Sequence, residues 1–216
     1  MATLRAMVLL ISAVLAGQAA WRQSAPAAET ARYYVAFLRP DPARKALSKE
    51  EGERIQTAHM ANIHKMADDG VLVSAGPFDD TPHTISGIFI FKVESLERAR
   101  EIALKDPTVV EHRNTIDVHA WDGPARIGDE YFRLHKLDAK TPENMQIHPF
   151  CMLFTDKAAD ANSEVLAAHM RYVEKLRADG KLSAAGRVSG EEDLAGLVVF
   201  RVEYHQWWSA DHVLPW

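Results

Sequence analysis

Short apolar runs and longer amphipathic stretches alternate along the first half of the chain. The apolar runs predict four strands, over residues 33–38, 71–75, 84–94 and 115–121. The amphipathic stretches predict two helices, one that begins near Ser48 and ends at Gly70, and one that begins at Ser95 and ends before Asp106-Pro107. The resulting order, β-α-β-β-α-β, is that of a ferredoxin-like α+β unit.

The second half of the chain repeats this pattern, with several residues unchanged. Ala58-His59-Met60 returns as Ala168-His169-Met170, and Ala75-Gly76 returns as Ala185-Gly186. The apolar pattern there predicts a strand, a helix and two strands, over residues 150–154, 162–179, 182–185 and 195–203. Residues 204–216 are too few for both a helix and a strand. We therefore expect the second unit to lack its second helix and to end in a short strand or an unrelated tail.

The repeat divides the chain into two ferredoxin-like units. Residues 31–122 are the first predicted unit and residues 147–216 are the second, partial one. Residues 123–146 are the predicted linker, in which residues 129–137 have the pattern of a short helix. Copies of one unit usually bury their apolar faces against each other, so we expect the two units to pair within the chain.

Residues 1–29 differ in composition from the rest of the chain. Arg5 precedes a short apolar run over residues 6–16, and small residues follow. This pattern predicts a secretory signal peptide, cleaved near Ala19 or Ala27 and followed by a spacer. The protein is then expected to be secreted or periplasmic, with no membrane contact after cleavage. The alternative is an uncleaved N-terminal membrane anchor, although the apolar run is shorter than the roughly 20 residues of a usual membrane span.

Charge and cysteine content exclude several classes of partner and site. The net charge is −5 and the Lys and Arg residues form no run, which argues against nucleic acid as a partner. The single cysteine, Cys151, excludes an internal disulfide and a cysteine-based zinc cluster. The sequence has no metal-binding or phosphate-binding motif, so we predict no metal, no cofactor and a small-molecule ligand as the partner. Association into a homo-oligomer stays open.

Each predicted long helix carries a histidine on its apolar face. Steps of 4, 4 and 3 residues place His59 in line with Ile55, Ile63 and Met66, and the same steps recur around His169. We therefore expect both imidazoles to be buried against the sheet. One interpretation is a core histidine bonded to a backbone carbonyl; the other is a general acid/base, which needs an orienting carboxylate. Asp106 is the candidate carboxylate for His59, unless it only ends a helix in an Asp-Pro turn.

The first unit resembles the YCII-related family, which belongs to the dimeric α+β barrel superfamily. The resemblance rests on Ala58-His59-Met60, residues 69–77, Gly87 and residues 105–109. It covers about residues 33–121, and a partial second match covers about residues 148–203. It implies that the two sheets pair face to face as an intrachain barrel. It also implies a functional histidine and aspartate in a cleft, here His59 and Asp106, and lyase-like or isomerase-like activity on small oxidised ring compounds.

The second unit departs from the family pattern. It has Arg187 where the first unit has Pro77, and it lacks the Asp-Pro segment, so His169 has no matching carboxylate. We predict a small-molecule enzyme of lyase or isomerase type, with His59 and Asp106 as its acid/base pair. Gly76, Pro77 and His169 are predicted to contribute to substrate binding. The alternative is a non-catalytic small-molecule-binding or scaffold protein.

Overall fold

The computed structural model of the chain describes residues 29–79, 84–141, 145–154, 163–190 and 194–201. The strands in these ranges are β1 (Thr30–Pro40), β2 (Leu72–Pro77), β3 (Gly87–Phe91), β4 (Asn114–Pro124), β5 (Phe150–Phe154), β6 (Leu182–Ser189) and β7 (Leu194–Phe200). The helices are α1 (Lys49–Asp68), α2 (Leu96–Ala103), α3 (Pro107–Val110), α4 (Asp129–Leu137) and α5 (Ser163–Ala178). The predicted signal peptide and the tail after residue 201 lie outside the described residues.

The described strands form one antiparallel sheet in the order β2-β3-β1-β4-β6-β7-β5. The first four strands have the neighbour relations of a ferredoxin-like unit, and the predicted α+β class is confirmed. Strand β4 joins β6 through the pairs Ala120↔Ser189, Trp121↔Val188 and Asp122↔Arg187. The two halves of the chain therefore share a continuous sheet, whereas the closed dimeric-barrel arrangement stays a prediction.

Local capping signals place the helices where the sequence predicts them. Ser48 and Glu51 form a reciprocal capping box at the start of α1, and Gly70 follows its end with a φ of 72°. The side chain of Ser95 caps α2 by accepting a hydrogen bond from the backbone of Arg98. Helix α4 has the predicted bounds. Within the described residues, none of the helices combines the length and apolar character needed to cross a membrane.

Two apolar clusters cover the two faces of the first half of the sheet. On one face, helices α1 and α2 pack through Met66 and Ala99 onto residues such as Phe89. On the other face, Tyr33, Val35, Phe37 and Trp121 of the first half form one cluster with Val188, Leu194 and Leu197 of the second half. Phe78, which follows β2, packs edge-on against Phe150 of β5 at a centroid distance of 5.2 Å. Residues from opposite ends of the strand order thus meet in a core shared by both halves.

Strand β4 is longer than the sequence predicts. Asp122-Gly123-Pro124 was expected to end the first unit, but these residues continue the ladder with β1, and Asp122 pairs with Arg32. Gly123 is buried under the Trp121 ring. A Cβ at this position would come within 2.7 Å of the ring, so a residue without a side chain fits there. This extension carries the chain directly to the turn that precedes α4.

Candidate active site

Helix α1 and the start of α3 bring His59 and Asp106 together. His59 Nδ1 lies 2.8 Å from Oδ2 and 2.9 Å from Oδ1 of Asp106. Asp106 is the N-cap residue of α3, and Pro107 occupies the first turn, where its missing N–H costs no hydrogen bond. Asp106 is fully buried and the His59 side chain is 15% exposed. The sequence offered two roles for Asp106, a residue that ends a helix in a turn and the partner of His59. The structure gives it both.

Four donors hold the Asp106 carboxylate. Besides His59, the Thr108 N–H and hydroxyl donate to Oδ1 at 2.9 and 2.6 Å, and Asn62 Nδ2 donates to Oδ2 at 3.1 Å. Burial by itself raises the pKa of Asp106, but the hydrogen bonds from His59, Thr108 and Asn62 favour the charged form and set the net pKa below its ordinary value. The carboxylate is ionised near neutral pH, and because it can only accept, His59 carries its proton on Nδ1.

The polar contacts continue from Asp106 towards the sheet. Asn114 Nδ2 donates to Thr108 Oγ1 at 3.1 Å, and Ser86 Oγ donates to Asn114 Oδ1 at 2.9 Å. Asn114 begins β4 and Ser86 immediately precedes β3, so the chain of hydrogen bonds links α3 to two strands. Thr108 both donates and accepts within this chain, which fixes the direction of its hydroxyl hydrogen.

The remaining imidazole nitrogen, Nε2 of His59, makes no hydrogen bond to the part of the chain that the structure describes. The ring stacks on Phe89 with a centroid distance of 5.9 Å and an interplanar angle of 30°. His59 also lines a cavity of about 740 Å³, a volume typical of small-molecule sites. In this tautomer Nε2 has a free lone pair and can accept a proton from a bound molecule.

The cavity lies beside strands β2 and β3, between helix α1 and the segment that contains α4. Gly76 and Pro77, both predicted to line the site, are part of its wall. Polar side chains of the wall near the Asp106 network are Gln56, Ser86, Thr108 and Asn114. The apolar wall includes Ile63, Ile88, Phe89, Ile127, Phe132 and Met145. The arrangement places two imidazoles, those of His59 and His64, and several uncharged hydrogen-bonding groups at an otherwise apolar surface.

Comparison with known proteins agrees with the resemblance noted from the sequence. Residues 33–119 match the family model of the YCII-related domain. This stretch, about two fifths of the chain, is similar to the YCII-related domain. The candidate active-site pair lies within it. Among solved structures, a match is 5-chloro-2-hydroxyhydroquinone dehydrochlorinase from Burkholderia phenoliruptrix AC1100, in complex with 2,5-dihydroxybenzoquinone. It is 15% identical, with a TM-score of 0.31, over 40% of this chain and 89% of that chain. Comparison with curated proteins found no match.

His169, outside the stretch that matches the family model, does not repeat the environment of His59. It is exposed on α5 and does not line the cavity, so the expectation that it lies buried against the sheet is wrong. Helix α5 packs on the sheet through Val173 and Leu176, which follow His169 along the helix. In the stretch that matches the family model, the segment that carries Asp106 and α3 covers His59. The described residues of the second half contain no such segment, and the position of His169 gives no support to a role in substrate binding.

Several residues of the site were not found from the sequence. Asn62 lies one helical turn after His59, and this spacing was a usable signal for a second donor. Thr108 lies two residues after Asp106, the spacing at which an Asp N-cap accepts a backbone hydrogen bond. By contrast, Ser86 and Asn114 meet only because β1 pairs with both β3 and β4. No local pattern around either residue marks it.

Proposed function

We propose that this protein is a small-molecule enzyme of lyase or isomerase type in which His59 transfers the proton. The observation that carries the proposal is the position of the imidazole. Its Nδ1 is held by the buried carboxylate of Asp106, while the ring lines a cavity of about 740 Å³. An imidazole that is held in one tautomer beside a mostly apolar cavity has the geometry expected of a general acid/base.

The proposed chemistry uses Nε2 of His59. In an isomerisation, Nε2 removes a proton from a carbon beside a carbonyl and returns it to another carbon of the same molecule. In an elimination, the proton goes to Nε2 while a leaving group on the neighbouring carbon departs with its bonding electrons, and His59 then gives the proton to water. In both cases Asp106 stabilises the imidazolium formed in between. The ligand oxygen that gains charge would accept a hydrogen bond from the second N–H of the Asn114 amide, because the first is donated to Thr108.

The alternative of a non-catalytic binding or scaffold protein predicts a different environment for His59. A purely structural histidine would bond to a backbone carbonyl and have no adjoining cavity. His59 instead contacts a carboxylate and lines a cavity, and both observations favour the enzyme hypothesis over the binding or scaffold hypothesis. We further propose that the second half closes the sheet into a barrel and stabilises the first half, because Phe78 beside β2 packs against Phe150 of β5 in the shared core.

Solvent deuterium exchange tests the proton-transfer step without knowledge of the full reaction. A panel of small lactones, cyclic keto acids and quinols would be incubated with the protein in D₂O, and loss of carbon-bound proton signals followed by NMR. We expect exchange in at least one compound that exceeds the rate without protein. His59→Gln should slow this exchange at least about 100-fold, the usual contribution of a general acid/base.

His169→Gln is the matched control, because His169 has the same flanking Ala and Met residues but lies exposed. It should exchange at the wild-type rate. Absence of exchange across the panel, or equal rates in His59→Gln and wild type, would contradict the proposal. Circular dichroism and thermal unfolding of both variants establish whether a slower rate comes from loss of the fold.

A further inference from the structure

We infer that α4 and Met145, which follow the YCII-related domain, form the wall that selects the ligand of the His59 cavity. We also infer that this wall selects an uncharged molecule with a flat apolar ring. The inference rests on the proposed function, since it concerns the ligand of the same cavity. It adds residues that the family domain does not contain and a class of ligand that their chemistry favours.

Two contacts fix α4 against the first half of the sheet. The backbone N–H of Ile127 donates to the hydroxyl of Tyr33 at 3.2 Å, and Tyr33 is fully buried. Gly128 has a left-handed φ of 82°, and a Cβ there would come within 2.7 Å of the Val73 carbonyl oxygen in β2. A larger residue would push the segment away from the strand. Close backbone approach therefore anchors the beginning of α4 beside the cavity.

The side chains of α4 divide between the cavity and solvent. Tyr131 and Phe132 are half-buried, line the cavity and contact each other edge-on at 5.4 Å. Leu134 and Leu137 on the same helix are exposed and do not line it. No residue of α4 is fully buried, so the helix fills no core of its own. Its aromatic rings instead form part of the cavity wall, and rings favour a flat ligand by stacking.

The charge of the cavity wall indicates the charge of the ligand. Among the described residues that line the cavity, there is no Lys, Arg, Asp or Glu, and the histidines there are His59 and His64. Asp106 is already paired with His59 and is not part of the wall. A carboxylate or phosphate would lose its water without gaining a Lys or Arg partner, whereas a hydroxyl, amide or carbonyl would find uncharged partners. The wall therefore favours an uncharged ring compound.

Methionine methyl groups provide reporters on both sides of the cavity. Met60 on α1 and Met145 beyond α4 line it, while the buried Met66 and the half-buried Met152 do not. The full chain would be labelled with ¹³C at the methionine methyl groups and titrated with 4-hydroxybenzamide. The same titration with 4-hydroxybenzoate tests charge, because the two probes differ mainly in an amide and a carboxylate.

We expect the amide to shift the Met60 and Met145 signals while leaving those of Met66 and Met152 in place. The carboxylate should bind at least about 10-fold more weakly because no cation faces it. Phe132→Leu should weaken binding of the amide about 3- to 10-fold by removing one ring of the wall. Leu137→Ala, on the exposed side of the same helix, should leave the affinity unchanged.

The inference is overturned if Met145 does not respond when Met60 does, or if Phe132→Leu binds as tightly as wild type. It is also overturned if the carboxylate binds as well as the amide, or if the amide shifts neither methyl group at its solubility limit. These outcomes differ from failure of the proposed function. Binding at both methyl groups without deuterium exchange would uphold the wall and reject the enzyme.

Discussion

Thr108 donates two hydrogen bonds to the same carboxylate oxygen of Asp106, one from its backbone at 2.9 Å and one from its hydroxyl at 2.6 Å. The backbone bond is the ordinary cap of a short helix, and the hydroxyl bond is an additional contact. Together they fix the carboxylate plane and leave its other oxygen to Asn62 and to the closer contact with His59. The cap of α3 therefore also sets the orientation of the His59 ring.

Thr108→Val should separate these two contributions, because valine keeps the shape and the backbone N–H but loses the hydroxyl. We expect the free energy of unfolding to fall by about 1–3 kcal/mol, since Asp106 and Asn114 each lose a buried partner. The pKa of Asp106 should rise, because a hydrogen bond to its ionised form is lost. Urea unfolding and a ¹³C-carboxyl NMR titration measure both. Thr108→Ser, which keeps the hydroxyl, is the control, and an unchanged Asp106 titration in the valine variant would count against the contact.

Asp106→Asn should change the pH dependence of stability. The pKa of Asp106 is lowered in the folded protein, so its contribution is fully present above the unfolded value of about 4 and is lost as the pH falls towards the folded value. The difference in unfolding free energy between wild type and Asp106→Asn should therefore be largest above about pH 5, on the order of 2 kcal/mol. It should shrink below about pH 4. Urea unfolding at a series of pH values measures this difference.

The exposed Lys175–Asp179 pair provides the control for that experiment. The pKa of Asp179 is also lowered, through a hydrogen bond from Lys175 at 2.6 Å, but both side chains are in contact with solvent. Solvent screens such a pair, so Asp179→Asn should leave the pH profile of stability nearly unchanged. Equal profiles for Asp106→Asn and Asp179→Asn would mean that burial does not strengthen the His59–Asp106 pair.

Local signals explain the part of the fold that the sequence predicts. The Ser48 capping box, the Gly70 stop and the Ser95 cap each involve residues a few positions apart, and the structure contains all three. The His59–Asp106 contact required one further step. The apolar stripe of α1 indicated which side of the helix faces inward. The contact also required that the Asp-Pro turn lie next to that side, at the start of α3.

Long-range contacts explain what the sequence does not predict. The stripes around His59 and His169 have identical spacing, yet one histidine is half-buried and the other is exposed. The difference lies in the segment that covers each helix, which a helical pattern does not encode. The cavity wall from α4 is a second case, because its position depends on Gly128 approaching the Val73 carbonyl.

Gly52→Ala should stabilise the protein. Gly52 lies in the first turns of α1, and a Cβ there would meet nothing within 4 Å. Alanine restricts the backbone conformations of the unfolded chain more than glycine does. We therefore expect the free energy of unfolding to rise by about 0.5–1 kcal/mol, visible as a higher Tm. Gly70→Ala is the opposite control. Gly70 has a φ of 72°, which a side chain disfavours, so this variant should lose stability. A lower Tm for Gly52→Ala would contradict the open space described around it.

Gly186→Ala should weaken the junction between the two halves of the sheet. A Cβ at Gly186 would lie 2.0 Å from the Asp122 carbonyl oxygen and 2.6 Å from Trp121 Nε1, so β6 would have to move away from β4. We expect a loss of at least about 2 kcal/mol in unfolding free energy, and faster hydrogen exchange at the backbone amides of β4 near Trp121. Gly76, which corresponds to Gly186 in the predicted repeat, has only Met145 Cε nearby, at 3.9 Å. Gly76→Ala should therefore cost little and leave exchange in β4 unchanged. Similar losses for both variants would show that the β4–β6 junction is no more crowded than the open wall of the cavity.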